Sequence, residues 1–168
     1  DLGDDEVLEN YDITYTTAEF TITRKEASVT PDDASKVYGA ADPIFTGTLT
    51  GFLVADGVTA VYSRAAGETV AGSPYTISAD LGDDEVLENY DIAYNTADFT
   101  IIKKAASVTP INASKVYGEV DPMLKGTLEG FLAADNVTAF YIRVAGETVA
   151  GSPYTISADL GDDEVLEN

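Results

Sequence analysis

The sequence predicts an all-β chain of tandem small antiparallel β-sandwich modules, Ig-like in type and set end to end. Three observations carry that expectation. The ten residues DLGDDEVLEN stand at 1–10, again at 80–89 and again at 159–168, so the chain repeats at a spacing of 79. Shifting the sequence by that spacing aligns 1–79 with 80–158 without a gap, and about three-quarters of the positions match. Solenoid units are roughly 20–50 residues and lean on their neighbours, whereas a unit of this length can close a core of its own. Within each unit, short runs of alternating apolar and polar residues are separated by Gly, Pro and Asp. No run carries a helical apolar stripe of useful length.

Residues 11–23 read YDITYTTAEFTIT. Tyr11, Ile13 and Tyr15 alternate with Asp12, Thr14 and Thr16, then Phe20 and Ile22 with Thr21 and Thr23. Period two in β-branched and aromatic residues predicts two half-buried strands, a hairpin with its turn near 17–19. Residues 24–26 are a short charged hinge. Residues 27–31, ASVTP, predict a strand stopped by Pro31, which has no N–H for a ladder. So little separates these strands that successive modules are joined by a stiff segment rather than a Gly/Ser tether.

Residues 32–43, DDASKVYGAADP, carry turn chemistry around Lys36 and Tyr38, with Gly39 supplying a backbone angle that a side chain disfavours. Residues 45–52, FTGTLTGF, predict a strand with glycines where neighbours come close. Residues 51–57 are the one stretch where a helical turn fits, ending on the turn pair Asp56 and Gly57. A strand at 58–65, a loop at 67–74 and a strand at 75–79 complete the unit. The second copy repeats the pattern from 90 to 158.

Composition narrows the function. The chain contains no Cys, His or Trp. That removes disulfides, thiolate nucleophiles and sulfur-bound metals, together with the side chain most used for proton transfer near neutral pH. A net charge of -21 argues against nucleic acid or an anionic lipid surface as partner, because both require Lys and Arg. No apolar run approaches the roughly 20 residues of a membrane span, and no signal peptide is present. The chain opens inside a repeat, as expected of a piece of something longer.

At this level of detail the chain resembles the MBG (YGX-type) repeats of bacterial surface proteins and adhesins. The landmarks are Tyr38-Gly39 followed by Asp42-Pro43, matched by Tyr117-Gly118 followed by Asp121-Pro122. The G-x-Y-T-I strands at 75–77 and 154–156 follow, then the N-Y-x-I-x-Y motif at 89–94. The resemblance spans essentially the whole chain. It departs at the acidic decamer, since such repeats are often shorter and less charged there. It implies an extracellular or cell-surface tandem β-module that acts as a spacer or stalk and holds a distal binding domain outward, with no enzymatic activity. The alternative is an adhesive module for host glycan or protein, using the loops around Tyr38 and Tyr117.

In the family's frame, residues 1–26 end with the C-terminal hairpin of a preceding repeat. Residues 27–105 are a complete module, and 106–168 a second module without its last hairpin. A rival frame takes the decamers as linkers, with modules at 1–79 and 80–158. A third packs the hairpin 11–23 onto 27–79 as a swapped or permuted pairing. In the first frame the second module exposes strand edges, and the hairpin of another molecule fits them, giving head-to-tail or strand-swapped self-association beside contacts with neighbouring repeats.

Each decamer carries five of the 30 acidic residues. Asp80, Asp83, Asp84, Glu85 and Glu88 are hard oxygen donors within nine residues and form the one metal candidate, for Ca²⁺, which takes six to eight such oxygens. Their spacing is not that of an EF-hand, and the plainer reading is a solvated acidic loop that keeps identical neighbours apart. No cofactor is required. A glycosidase pair needs a cleft between opposed carboxyl groups, for which a sandwich of roughly 80 residues has little room. Most Tyr and Phe fall on strand alternation and are expected in the core or in cross-strand pairs. An isopeptide bond from Lys36 or Lys115 to an Asn is singled out by no spacing. The triplets starting at Asn112 and Asn136 are sequons of a kind that chance often produces.

Overall fold

A computed structural model of the chain describes residues 5–82 and 85–161. These residues are all-β, with helical turns of three to five residues at Asp5–Leu8, Val54–Asp56, Glu85–Asn89, Ala133–Asp135 and Val149–Gly151. In the first repeat two sheets face each other. One holds β1 (Lys25–Pro31), β3 (Gly47–Thr50) and β6 (Tyr90–Tyr94), in the order β3-β1-β6. The other holds β2 (Ala34–Val37), β4 (Val61–Arg64), β5 (Tyr75–Asp80) and β7 (Ala97–Ile102), in the order β2-β7-β5-β4. Ile77, Phe99 and Ile101 form the core, and Val29 is fully buried on β1, which lies against β5.

The chemistry that holds β6 and β7 differs from a hairpin. The two are not neighbours in either sheet. Lys25 faces Tyr90, Val29 faces Tyr94, Ala34 faces Phe99 and Val37 faces Ile102, always in parallel. The separation of 65 residues is kept across the change of sheet, where Asn95 Nδ2 donates to Thr30 Oγ1 at 2.8 Å and Asp98 N to Asp33 Oδ1 at 2.9 Å. Residues 90–102 are therefore one ribbon, parallel to 25–37, that passes from one sheet to the other. The expected hairpin is corrected on this ground: the Asn95-Thr96 punctuation marks the sheet switch, and each arm pairs with 25–37 rather than with the other arm.

The same pairing revises 32–43. Part of this turn-rich stretch is strand β2, because β7 lies beside it. Residues 113–116 have the identical sequence ASKV and belong to no strand. In the second repeat β8 (Ser107–Pro110) pairs with β9 (Gly126–Glu129), and β10 (Phe140–Arg143) with β11 (Ile156–Asp159). The ladders copy those of the first repeat: Val29 faces Leu49, as Val108 faces Leu128.

Residues 11–24 form no strand and are exposed throughout, against the expectation of two strands there. They join no ladder with 27–79. The edges of β1, β2 and β5 that such a segment needs are already occupied by 90–102, so no ladder is left for it. Burial records the consequence. Among the described residues every fully buried side chain lies between 27 and 101. Val29 and Ile77 are at 0% exposure, whereas their counterparts Val108 and Ile156 are half-buried.

Candidate functional site

At the far end of the ribbon from Lys25, a box of four charges closes the core. Arg64, on β4, grips Asp42 with two nitrogens: Nε lies 2.6 Å from Oδ2 and Nη2 3.1 Å from Oδ1. Its Nη1 donates to the carbonyl of Gly67 at 2.6 Å. Lys36, on β2, has a side chain only 5% exposed, and its Nζ lies 2.7 Å from Asp42 Oδ1 and also bonds Glu68. Two cations and two carboxylates balance, which removes the penalty of an uncompensated buried charge. The apolar roof is Phe99: the guanidinium carbon of Arg64 sits 4.6 Å from its ring centroid, and Phe45 meets it edge-on at 5.5 Å. Arg64 first and Lys36 second hold the Asp42 carboxyl down at about 2, and bonds to Asp42 and Glu68 raise the Lys36 amine. Lys36 is thus engaged by carboxylates and not by an Asn.

The second repeat rebuilds the box from Lys115, Asp121, Arg143 and Glu147. Arg143 again lies 2.6 Å from its aspartate, whose carboxyl is again held at about 2. Here, however, the lysine side chain is 21% exposed. Beside this box opens a pocket of about 300 Å³ whose lining includes Ala113, Lys115, Leu124, Arg143, Tyr154 and Ile156. Each of these residues is displaced by one repeat from a neighbour of Phe99 or a member of its core cluster: Ala34, Lys36, Phe45, Arg64, Tyr75 and Ile77.

The two repeats meet where β2 ends. Tyr38 N donates to the carbonyl of Ile102 at 2.8 Å, and after four intervening residues the chain enters β8 of the second repeat. Gly39 turns with φ +78, an angle that a side chain disfavours, and a Cβ on it would stand 2.5 Å from Leu132 Cδ1, so the second repeat packs directly against this turn. The Tyr38 hydroxyl donates to Asp135 Oδ1 at 3.0 Å, a bond that raises the phenol's pKa. Asp135 lies in the helical turn Ala133–Asp135. The matching turn of the first repeat, Val54–Asp56, sits at the start of its ribbon, where Tyr90 OH accepts from Leu53 N at 3.0 Å and donates to Asp56. The joint therefore sets the far end of one repeat against the near end of the next. Asp135 and Leu132 were not singled out from the sequence. Asp56 read there as a turn residue, and the signal that could have found its counterpart is the copy-to-copy identity of Leu-x-Ala-Asp.

The acidic decamer is partly described. Asp80 ends β5, and its Oδ1 accepts from Gly82 N at 2.8 Å. Glu85 and Glu88 lie on the helical turn Glu85–Asn89. Asp83 and Asp84 lie outside the described residues. Among the described residues no three of His, Cys, Asp or Glu converge as a metal site.

Tyr38-Gly39 and Asp42 thus occupy the joint and the charge box, the landmarks that define a repeat family. The model of the MBG domain (YGX type) family matches residues 27–100 and again 106–168. The chain belongs to that family. Neither the curated proteins nor the solved structures gave a match. The MBG match is in two tandem copies, and the family is one of repeat domains of surface proteins. In this MBG chain the YGX element is a joint: its Tyr and Gly contact the next repeat. The described residues contain no helix long and apolar enough to cross a membrane.

Proposed function

We propose that the chain is a structural spacer, a stalk segment of a bacterial cell-surface or secreted adhesin that holds a distal binding domain outward. The role is mechanical and not catalytic. The observation that carries it is the joint: Tyr38 bonded to Asp135, Gly39 closed onto Leu132, and a connection too short to swing freely. A hydroxyl-to-carboxylate bond and an apolar contact on one side, with a short covalent link on the other, restrict both bending and twisting. Acidity keeps near-identical neighbours from coalescing. The adhesive reading loses support at Tyr38, whose hydroxyl is engaged within the chain rather than offered to a glycan.

The test uses the absence of native cysteine. Spin labels on Ser63→Cys and Ile142→Cys report the distance between repeats by pulsed electron resonance. A spacer gives one narrow distribution, and Tyr38→Phe with Asp135→Asn broadens it at least ~2-fold. A distribution already broad in the unmodified chain contradicts the stalk reading.

A further inference from the structure

The first repeat is entered and left through two segments that are bonded to each other. The chain comes in at Lys25, the first residue of β1, and goes out after Ile102, the last residue of β7. These segments lie side by side and run the same way. Five pairs join β1 to β6, from Lys25–Tyr90 to Val29–Tyr94, and four join β2 to β7, from Ala34–Phe99 to Val37–Ile102. The sheet switch does not interrupt the bonding. There Asn95 N donates to the carbonyl of Val29 at 3.0 Å, Asn95 Nδ2 to Thr30 Oγ1 at 2.8 Å and Asp98 N to Asp33 Oδ1 at 2.9 Å. At the far end Tyr38 N donates to the carbonyl of Ile102 at 2.8 Å.

We propose that this ribbon is a shear clamp, a mechanical lock that lets the repeat carry tension between its two ends without unfolding. The stalk reading enters only as the source of the pull. Lys25 stands at the near end of the ribbon and Ile102 at the far end, so tension drags 25–37 one way and 90–102 the other along their shared axis. The bonds of a parallel pair are evenly spaced along the strands, so all of them take the load together. A hairpin presents both its ends at one side, and tension opens its bonds one after another. Side chains oppose sliding as well. Val29, Phe99 and Ile101 are fully buried, whereas Asp98 and Thr100 are exposed on the other face of β7. A slip of one residue exchanges those faces, turning Phe99 out of the core and Asp98 into it. The charge box adds a stop at the far end, where Lys36, the penultimate residue of β2, is held by Asp42 and Glu68.

The experiment is single-molecule force spectroscopy on the full 168-residue chain, whose lack of native cysteine lets two introduced thiols define the direction of pull. Arg24→Cys with Lys103→Cys applies force along the ribbon. Arg24→Cys with Glu88→Cys applies it across the near end, beside the Lys25–Tyr90 pair, and peels the ladder from there. Arg24, Glu88 and Lys103 are all exposed and lie outside the strands, so both variants keep the fold. The proposal expects the first arrangement to give way at a force at least ~3-fold higher than the second at equal pulling speed, because forced unfolding reads the barrier along the pull and not equilibrium stability. Equal forces in the two arrangements, or the stronger resistance to peeling, overturn the clamp. Either result leaves the stalk reading intact, since the spin-label distance between repeats tests that reading separately. A broad spin-label distribution beside a direction-dependent force overturns the stalk and retains the clamp.

Discussion

Phe99 is the residue on which the complete repeat turns. It is the widest fully buried side chain, it meets Phe45 edge-on, and it caps two cations whose charges are balanced by Asp42 and Glu68. Phe99→Ala removes the roof as well as the filling and is expected to cost about 3–5 kcal/mol of stability, read by urea unfolding. Phe20→Ala has the same chemistry at an exposed site and is expected to shift monomer stability by less than about 0.5 kcal/mol. Equal losses in the two variants would contradict the assignment of 90–102 as the strand that completes the core. Asp42 supplies a pH signature. Its folded pKa, about 2, lies below the usual carboxylate value of 3.8. The stabilisation it contributes is fully present above that value and is lost as pH falls toward about 2. Asp42→Asn is therefore less stable than the unmodified chain at pH 6, with the gap shrinking between about pH 4 and 2. A gap independent of pH would mean that the charge of Asp42 is not what holds the box.

At the level of elements, one sequence adopts two states according to its neighbours. ASKV is strand β2 at 34–37 and no strand at 113–116, because only the first copy has β7 alongside. Hydrogen exchange should report this directly. Amides of β1 and β5 are expected to exchange at least ~10-fold more slowly than those of β8 and β11, which have fewer paired edges and half-buried cores. Uniform protection across both repeats would contradict it. The same contrast marks how far the sequence could be read. Alternation and turn residues located β1, β3, β4 and β5, the helical turn at Val54–Asp56, and Gly39 as a strained turn. They did not reveal that 90–102 is a continuous parallel ribbon, since a sheet switch and a hairpin turn use the same polar punctuation and differ only in what lies across the ladder. Strand β2 was hidden for a related reason, its residues being typical of a turn until a partner is supplied. The charge box was legible only as scattered Lys, Asp, Arg and Glu, because its members are brought together by two strands and two loops. The decamer stood out in the sequence, yet its described carboxylates do not converge on one point.

For the whole molecule, polarity is the organising property. The ribbon from Lys25 to Val37 spans about 40 Å at the rise of a β-strand. Tyr38 lies at its far end and the helical turn Val54–Asp56 at its near end, so each joint adds a repeat in the same direction. Net charge of -21 opposes lateral clustering of near-identical repeats. The most direct measurement of this end-to-end arrangement is solution X-ray scattering at low concentration, where single molecules are observed. A compact globule of this length has a radius of gyration of about 15 Å. Two repeats held end to end, their centres about 40 Å apart, give a value near ~23 Å. The stalk account predicts the larger value, unchanged by EDTA or millimolar Ca²⁺ if the decamers are solvated loops rather than metal-set joints. A radius near 15 Å would place the repeats side by side and contradict it.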